Sequence, residues 1–428
     1  MKNLLLIAYH FPPYPGGSGV HRSAKFFEYL PENGWSPYVL TTGTLAYGNV
    51  RSGSTDGGAN SKVRGRIIRT VALDAQRHLA IGGKHFKCTA IPDRWTNWVL
   101  TAVPAGLLTL YRKNISVILV TFPIATAVLI GLILHRVTKR PLIVDFRDSM
   151  TEEDYPRDPV TRSVWQKIEK AAIRRGARFI FTTESTRRMY LNRYPKLLPE
   201  RCVVIPNGYD EEDFVGIPAI GTAYSNSSNG QPLRLVHAGL IYPEERDPRP
   251  FFKAVSRLKA EGIINSGDLR IELRASGSEA AYSNLLRQAN IEDIVSLLPS
   301  LPYRAALEDI ARADGLLLFQ AASCNHQIPA KVYEYLRVGR PILAMTSREG
   351  DTAALLNVLG GATLVDLANE DAIHDILPEF IHRVRGGTHP MAETQKVRDY
   401  SRRSQAASLA HCIDDLFAVG LNHSGSAA

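Results

Sequence analysis

The sequence predicts an α/β protein made of two doubly wound, Rossmann-like domains. Short apolar runs alternate with helical stretches along the chain, the order that gives βαβ units and parallel sheets. A polar segment rich in Ser, Asn and Gly, Gly221–Gly230, splits that alternation into two sets. The 428 residues also exceed what one core holds.

The first set places strands at Leu4–Ala8, Pro37–Thr42, Ile67–Val71, Val117–Thr121, Leu142–Phe146, Phe179–Thr183 and Val203–Pro206. The second places them at Leu233–Gly239, Leu269–Ala275, Ile294–Leu298, Gly315–Phe319, Pro341–Ala344 and Ala362–Val365. The Gly/Ser/Asn-rich region Gly43–Arg66 reads as a mobile loop. Domains are expected at 1–220 and 232–390, joined by a linker at 221–231. Residues 391–428 are expected to hold a helix, roughly Ala392–Phe417, that crosses back to the first domain and ends in a frayed tail. Ligands of doubly wound sheets bind beyond the carboxyl ends of the strands. Two such sheets facing each other would enclose a cleft.

Composition is that of an ordinary soluble chain, 45% hydrophobic and 22% charged. The net charge of +9 suits anionic lipid head groups, phosphorylated substrates or nucleic acid, and equally a solvated basic surface. No nucleic-acid-binding motif accompanies that charge. Cys88, Cys202, Cys324 and Cys412 are scattered without a CxxC pair, which argues against a zinc site and for reduced thiols. The apolar run after Lys2 is too short for a secretory leader and reads as the first strand. Val117–Leu134 has nearly the length of a membrane span. Pro123 and the Val/Ile-rich Ser116–Thr121 favour strand, turn and helix instead.

The first strand runs into YHFPPYPGGSGVHRSAKFFEYL, where Gly16, Gly17 and Gly19 occupy the strand-to-helix loop. Glycines let the backbone approach a phosphate, and a helix N-terminus favours an anion. Arg22 could reach a phosphate as well. It stands where a dinucleotide fingerprint needs its third glycine, which disfavours a dehydrogenase. A plain turn would use the same residues. The segment PLIVDFRDSM ends a buried strand with Asp145, Arg147 and Asp148. Charged groups at that end of an α/β strand are costly to bury and often functional, although an Arg–Asp pair can also lock a loop. In LVHAGLIYPEERDP, Gly239 ends a strand and Arg246 follows in a charged loop. In QIPAKVYEYLRVGRPILA, Lys331 precedes Glu334 by three residues, so both share a helix face. An ammonium suits a phosphate and a carboxylate suits sugar hydroxyls, the needs of a nucleotide-sugar site.

That last segment resembles the C-terminal signature of retaining glycosyltransferases of family 4, which have the GT-B fold. Pro329, Lys331, Glu334 and Tyr335 are similar to the Pro-x-Lys-x-x-Glu-Tyr form of a bacterial surface-polysaccharide subgroup, and the match runs on through Gly339, Arg340, Pro341 and Ile342. The resemblance spans Leu4 to about Phe417 and is firmest from Leu233 to Leu355. It implies a GT-B fold, two Rossmann-like domains facing each other across a cleft, the first for acceptor and the second for nucleotide sugar. It implies that Gly16, Gly17 and Gly19 lie near the donor diphosphate, that Arg246 and Lys331 meet it, and that Glu334 holds the ribose. Arg274–Glu279 would lie near the nucleotide, Leu297–Tyr303 near the base, and Asn207–Gly208 would form a turn by the cleft. Two positions depart from the pattern. Arg147 replaces the His of a His-Asp pair, so it would bind phosphate or acceptor rather than act as a base, leaving Asp148 to orient a hydroxyl. His326 stands where many members carry the first Glu of Glu-x7-Glu.

The implied reaction is transfer of a sugar, with retention, from a UDP- or GDP-type donor to a glycan or polyprenyl-linked acceptor hydroxyl. It would serve polysaccharide assembly at the cell surface, lipopolysaccharide or exopolysaccharide, from the cytoplasm. Stabilising the departing diphosphate would drive it, with no cofactor and no metal. Arg94–Lys113, with two tryptophans and basic ends, and Lys167–Arg178 suggest peripheral contact with an anionic membrane at its inner face, or else core helices with solvated charges. A nucleotide-sugar epimerase or hydrolase on the same fold, and a non-catalytic scaffold, are the rival readings.

Overall fold

The computed structural model describes residues 1–14, 17–47, 65–80, 86–217, 231–243 and 245–424. Gly16, the linker expected at Gly221–Gly230, most of the Gly43–Arg66 loop and the last four residues lie outside the described residues. The chain divides into two compact units. One is Met1–Asn207 together with the chain from Arg402 onward, and the other is Gly208–Ser401.

The first unit holds a seven-stranded parallel sheet: β1 (Lys2–Ile7), β2 (Trp35–Thr42), β3 (Ile67–Thr70), β4 (Ile115–Phe122), β5 (Leu142–Phe146), β6 (Arg178–Phe181) and β7 (Cys202–Val204). Their order is β3-β2-β1-β4-β5-β6-β7. The second unit holds six parallel strands: β8 (Leu233–Ala238), β9 (Leu269–Arg274), β10 (Val295–Leu298), β11 (Gly315–Phe319), β12 (Ile342–Met345) and β13 (Ala362–Val365), in the order β10-β9-β8-β11-β12-β13. Every strand expected from the sequence is present, with no end shifted by more than two residues. The order reverses at β1/β4 and at β8/β11, so each sheet opens its ligand crevice at the carboxyl end of those pairs.

The strands form because both sheet faces are covered. β5 and β11 are buried along their whole lengths, as the apolar run of β11 requires, while the Asp145 of β5 is buried with Arg22 as its partner. In the first unit, Trp98, Ala102, Val128 and Ile130 pack on one face. Phe26, Tyr29, Ala406, Leu409 and Ile413 pack on the other. Val117–Leu134 resolves into β4 and the helix Ala125–Thr138, with Pro123 in the turn between them. Among the described residues no helix is long and apolar enough to cross a membrane.

The C-terminal helix differs from expectation. It is broken into Thr394–Arg398 and Arg402–Ser424. At the break the Tyr400 carbonyl accepts from the Tyr209 amide at 3.3 Å, and the Tyr400 ring stacks on Tyr333. Those contacts take the backbone out of helical pairing. Asn207–Gly208 also departs, running without a hydrogen-bonded turn.

Arg22, in the helix Ser18–Tyr29, is 1% exposed and is consumed by structure. Its Nε and Nη2 grip both Asp145 oxygens at 3.0 and 2.9 Å, and Nη2 and Nη1 also donate to the Ile205 and Pro206 carbonyls. This corrects the reading in which Arg22 reaches a phosphate. The residue instead ties the first helix to the ends of β5 and β7. Arg22→Met is therefore expected to destabilise the first unit by about 3–5 kcal/mol, because Asp145 is left buried and unpaired; chemical denaturation followed by Trp fluorescence measures the loss.

Candidate functional site

In the second unit the site grows from the end of β8. Gly239 follows the strand with φ 105°, a conformation that suits glycine. A β-carbon there would also sit 3.0 Å from Lys331 Nζ. The helix Lys331–Val338 begins with that lysine. Its apolar side, Val332, Tyr333, Tyr335, Leu336 and Val338, is buried, which leaves Lys331, Glu334 and Arg337 along one flank. The Tyr335 hydroxyl accepts from the Ala238 amide at 2.9 Å and pins this helix to the strand end. At the other end Gly339 closes the helix in the left-handed conformation, and Arg340 donates to the Ala311 carbonyl. The Gly-Arg-Pro part of the signature is thus a helix stop.

Lys331 Nζ lies 3.0 Å from His237 Nε2. Burial and the positive charge of Arg246 push the lysine down to about 7, against the pull of Glu334. Arg246 itself donates to the Leu240 carbonyl at 2.6 Å and lies over the Tyr242 ring. Two cations are thus held close enough to oppose each other, the electrostatic condition of an anion site. Glu334, three residues along the same helix, has its Oε1 accepting from the Tyr303 hydroxyl at 2.8 Å. The loop after β9 turns through Ala275 and Gly277, both at positive φ, and packs on Leu240. Of the residues expected from the sequence, Arg246, Lys331 and Glu334 come together here.

In the first unit, Gly17 caps the helix Ser18–Tyr29 at φ 91° and its carbonyl accepts from Val20. Gly19 has a different role. A β-carbon there would fall 1.7 Å from Arg147 Nη1, so this glycine makes room for a guanidinium. Arg147 is buried, donates from Nε to the Phe122 carbonyl at 2.6 Å, and has Nη2 3.4 Å from His10 Nδ1. Burial pushes its proton affinity below the ordinary arginine range, with Asp148 and Asp145 opposing. An arginine only donates, so His10 Nδ1 accepts and Nε2 carries the imidazole proton. Burial, then the Arg147 charge, push His10 down to about 4. Asp148 is exposed beside this pair.

His237 and the Tyr303–Glu334 bond were not apparent from the sequence. The available signal for His237 was a second titratable residue, after Arg234, near the carboxyl end of a mostly apolar strand. The bond from Tyr303 joins residues 31 apart and had no local signature.

Comparison with known proteins bears on the fold. Residues 18–208 match the model of the glycosyl transferase 4-like domain. No curated protein matches the sequence. Among solved structures, sucrose-phosphate synthase from Thermosynechococcus elongatus superposes with TM-score 0.67 at 13% identity, covering 98% of this chain and 100% of its own. Anabaena HepE in complex with UDP superposes with TM-score 0.58 at 15% identity over 99% of this chain and 100% of its own. WaaG, a glycosyltransferase involved in lipopolysaccharide biosynthesis, gives 0.57 at 12% identity over 95% of both chains. The fold is GT-B.

Gly19→Ala is expected to cost the first unit roughly 1–3 kcal/mol from overpacking, despite alanine's better helix propensity. In an Arg147→Ala background the same change should become neutral or stabilising. A double-mutant cycle by denaturation checks both.

Proposed function

We propose that this protein, whose first unit carries a glycosyl transferase 4-like domain, is a retaining glycosyltransferase. It moves a sugar from a nucleoside-diphosphate donor to an acceptor hydroxyl in cell-surface polysaccharide assembly. The observation that carries the reading is Lys331, a cation kept beside Arg246 at the β8/β11 crevice with the Glu334 carboxylate one turn along. As the bond between sugar and diphosphate breaks, negative charge collects on the departing group, and Arg246 and Lys331 meet it. Glu334, already oriented by Tyr303, takes the ribose hydroxyls. Gly17 offers a backbone approach at the first helix, and we extend that role to Gly16. Asp148 orients the acceptor hydroxyl, and Arg147 binds phosphate or acceptor, since a guanidinium is no base near neutral pH. That HepE was solved with UDP makes UDP the first donor base to test.

The acceptor is a glycan or a polyprenyl-linked glycan, reached from the cytoplasmic face of a membrane. Support comes from the helix Trp98–Arg112, whose outward side carries Leu100, 77% exposed, Leu108, and Tyr111, 69% exposed. Arg112 and Lys113 at its end, with Arg136 of the packed helix Ala125–Thr138 and Lys139 that caps it, are exposed bases. An apolar stripe with a cationic rim matches an anionic lipid surface.

One nucleoside diphosphate from a panel of UDP, GDP and ADP is expected to raise the melting temperature by mass action, and Glu334→Ala to weaken its binding roughly 10- to 100-fold. The pH dependence follows from Lys331. Its free midpoint is about 7, and a bound diphosphate would raise it. Binding is then strongest below pH 7 and weakens as pH rises, by about tenfold per unit until the bound midpoint is passed. Calorimetry between pH 6 and 9 measures the slope, and no stabilisation by any nucleotide at millimolar concentration would remove the donor site. Leu100→Asp combined with Tyr111→Asp is expected to abolish sedimentation with phosphatidylglycerol vesicles while leaving nucleotide binding unchanged.

A further inference from the structure

Building on that donor site, we propose that His237 is a positioning residue that orients Lys331 by accepting one of its three ammonium N–H bonds. His237 lies in β8 and is 0% exposed. Its Nδ1 is 2.8 Å from the Leu317 carbonyl of β11. The Gly239 main chain also hydrogen-bonds the ring; on the Leu317 contact we assign the proton to Nδ1, which makes Nε2 of the neutral ring a bare lone pair. Lys331 Nζ stands 3.0 Å from that lone pair. The Phe319 ring, 4.9 Å away, packs on the imidazole and leaves it no freedom to turn. A chain of hydrogen bonds therefore runs from β11 through the imidazole to the ammonium.

What this chain prevents is as important as what it holds. Lys331 and Glu334 are three apart on one helix, the spacing at which opposite charges pair. Here the pair is divided: His237 takes the ammonium, and Tyr303 takes Glu334 Oε1 at 2.8 Å. The ammonium lies over Gly239, where a β-carbon would be 3.0 Å from Nζ. Two of its three protons then remain for an anion. Without the imidazole, the lysine would swing to Glu334, and both charges would be lost to the ligand. The other charged group that acts on Lys331 is Arg246, from the loop after β8, while Tyr335 is engaged with the Ala238 amide.

The test compares wild type, His237→Leu and His237→Gln. Trace labelling with acetic anhydride across pH 5.5–9.5, read by peptide mass spectrometry, gives the Lys331 midpoint without any nucleotide. The leucine variant should raise that midpoint by at least ~1 pH unit as the amine leaves the strand end for Glu334. Its affinity for UDP at pH 7 should fall about tenfold, the scale of one lost charge-assisted hydrogen bond. Glutamine, whose amide oxygen can accept the same bond, should restore both. A folded leucine variant whose midpoint stays or falls overturns the proposal. Should that variant not fold, 15N NMR of wild-type His237 decides: a bare Nε2 supports the assignment, and a proton on Nε2 overturns it. If no nucleoside diphosphate stabilises the wild type, the donor site falls, while the labelling and NMR results still judge the His237–Lys331 contact.

Discussion

A charged side chain can lie against the main chain only where no β-carbon stands in its way, and both units are built on that constraint. Arg147 spreads over Gly19, and Lys331 rests on Gly239. In each case a cation is drawn out of water, which is costly unless something accepts its protons. The Phe122 carbonyl does so for Arg147, and the His237 ring does so for Lys331. Neither acceptor is a carboxylate. Neither cation is paired off by that bond, and burial lowers the proton affinity of both groups.

Arg22 makes the opposite case within the same sheet. It too is buried, but it meets a full carboxylate in Asp145 and two carbonyls, so nothing of it remains for a ligand. The two buried arginines therefore differ in the identity of the acceptor. Arg22 sits in a closed ion pair, while Arg147 faces a neutral histidine and an exposed Asp148. The overall charge of +9 says little about this. Local partners decide which cations stay available.

The fold was legible because burial on both faces writes itself into the sequence as apolar runs such as Gly315–Phe319 and the Leu-Ile-Val that opens Leu142–Phe146. The Lys331–Glu334 spacing was legible because helical neighbours are close in sequence. What lay hidden depended on distant partners. Arg22 and Asp145 are 123 residues apart, and His237 and Lys331 are 94 apart. Gly19 read as a phosphate-facing glycine because its neighbour, Arg147, comes from the end of β5. The break at Asp399–Ser401 was missed for the same reason, since Tyr209 and Tyr333 supply the contacts that interrupt the helix.

The helix Arg402–Ser424 completes the core of the first unit, where Ala406, Leu409 and Ile413 pack with Leu4, Leu6 and Phe26. Residues 208–401 are thus an insertion, and the chain begins a domain that it can finish only at its end. On a ribosome the sheet of β1–β7 emerges first but waits for its last covering helix. At ~5–20 residues per second that wait lasts roughly 10–40 s. The inserted unit, continuous in sequence, can close its own core in the meantime. The unit begun second can therefore be finished first, and the face of the first sheet that awaits its helix is the surface a chaperone would have to guard.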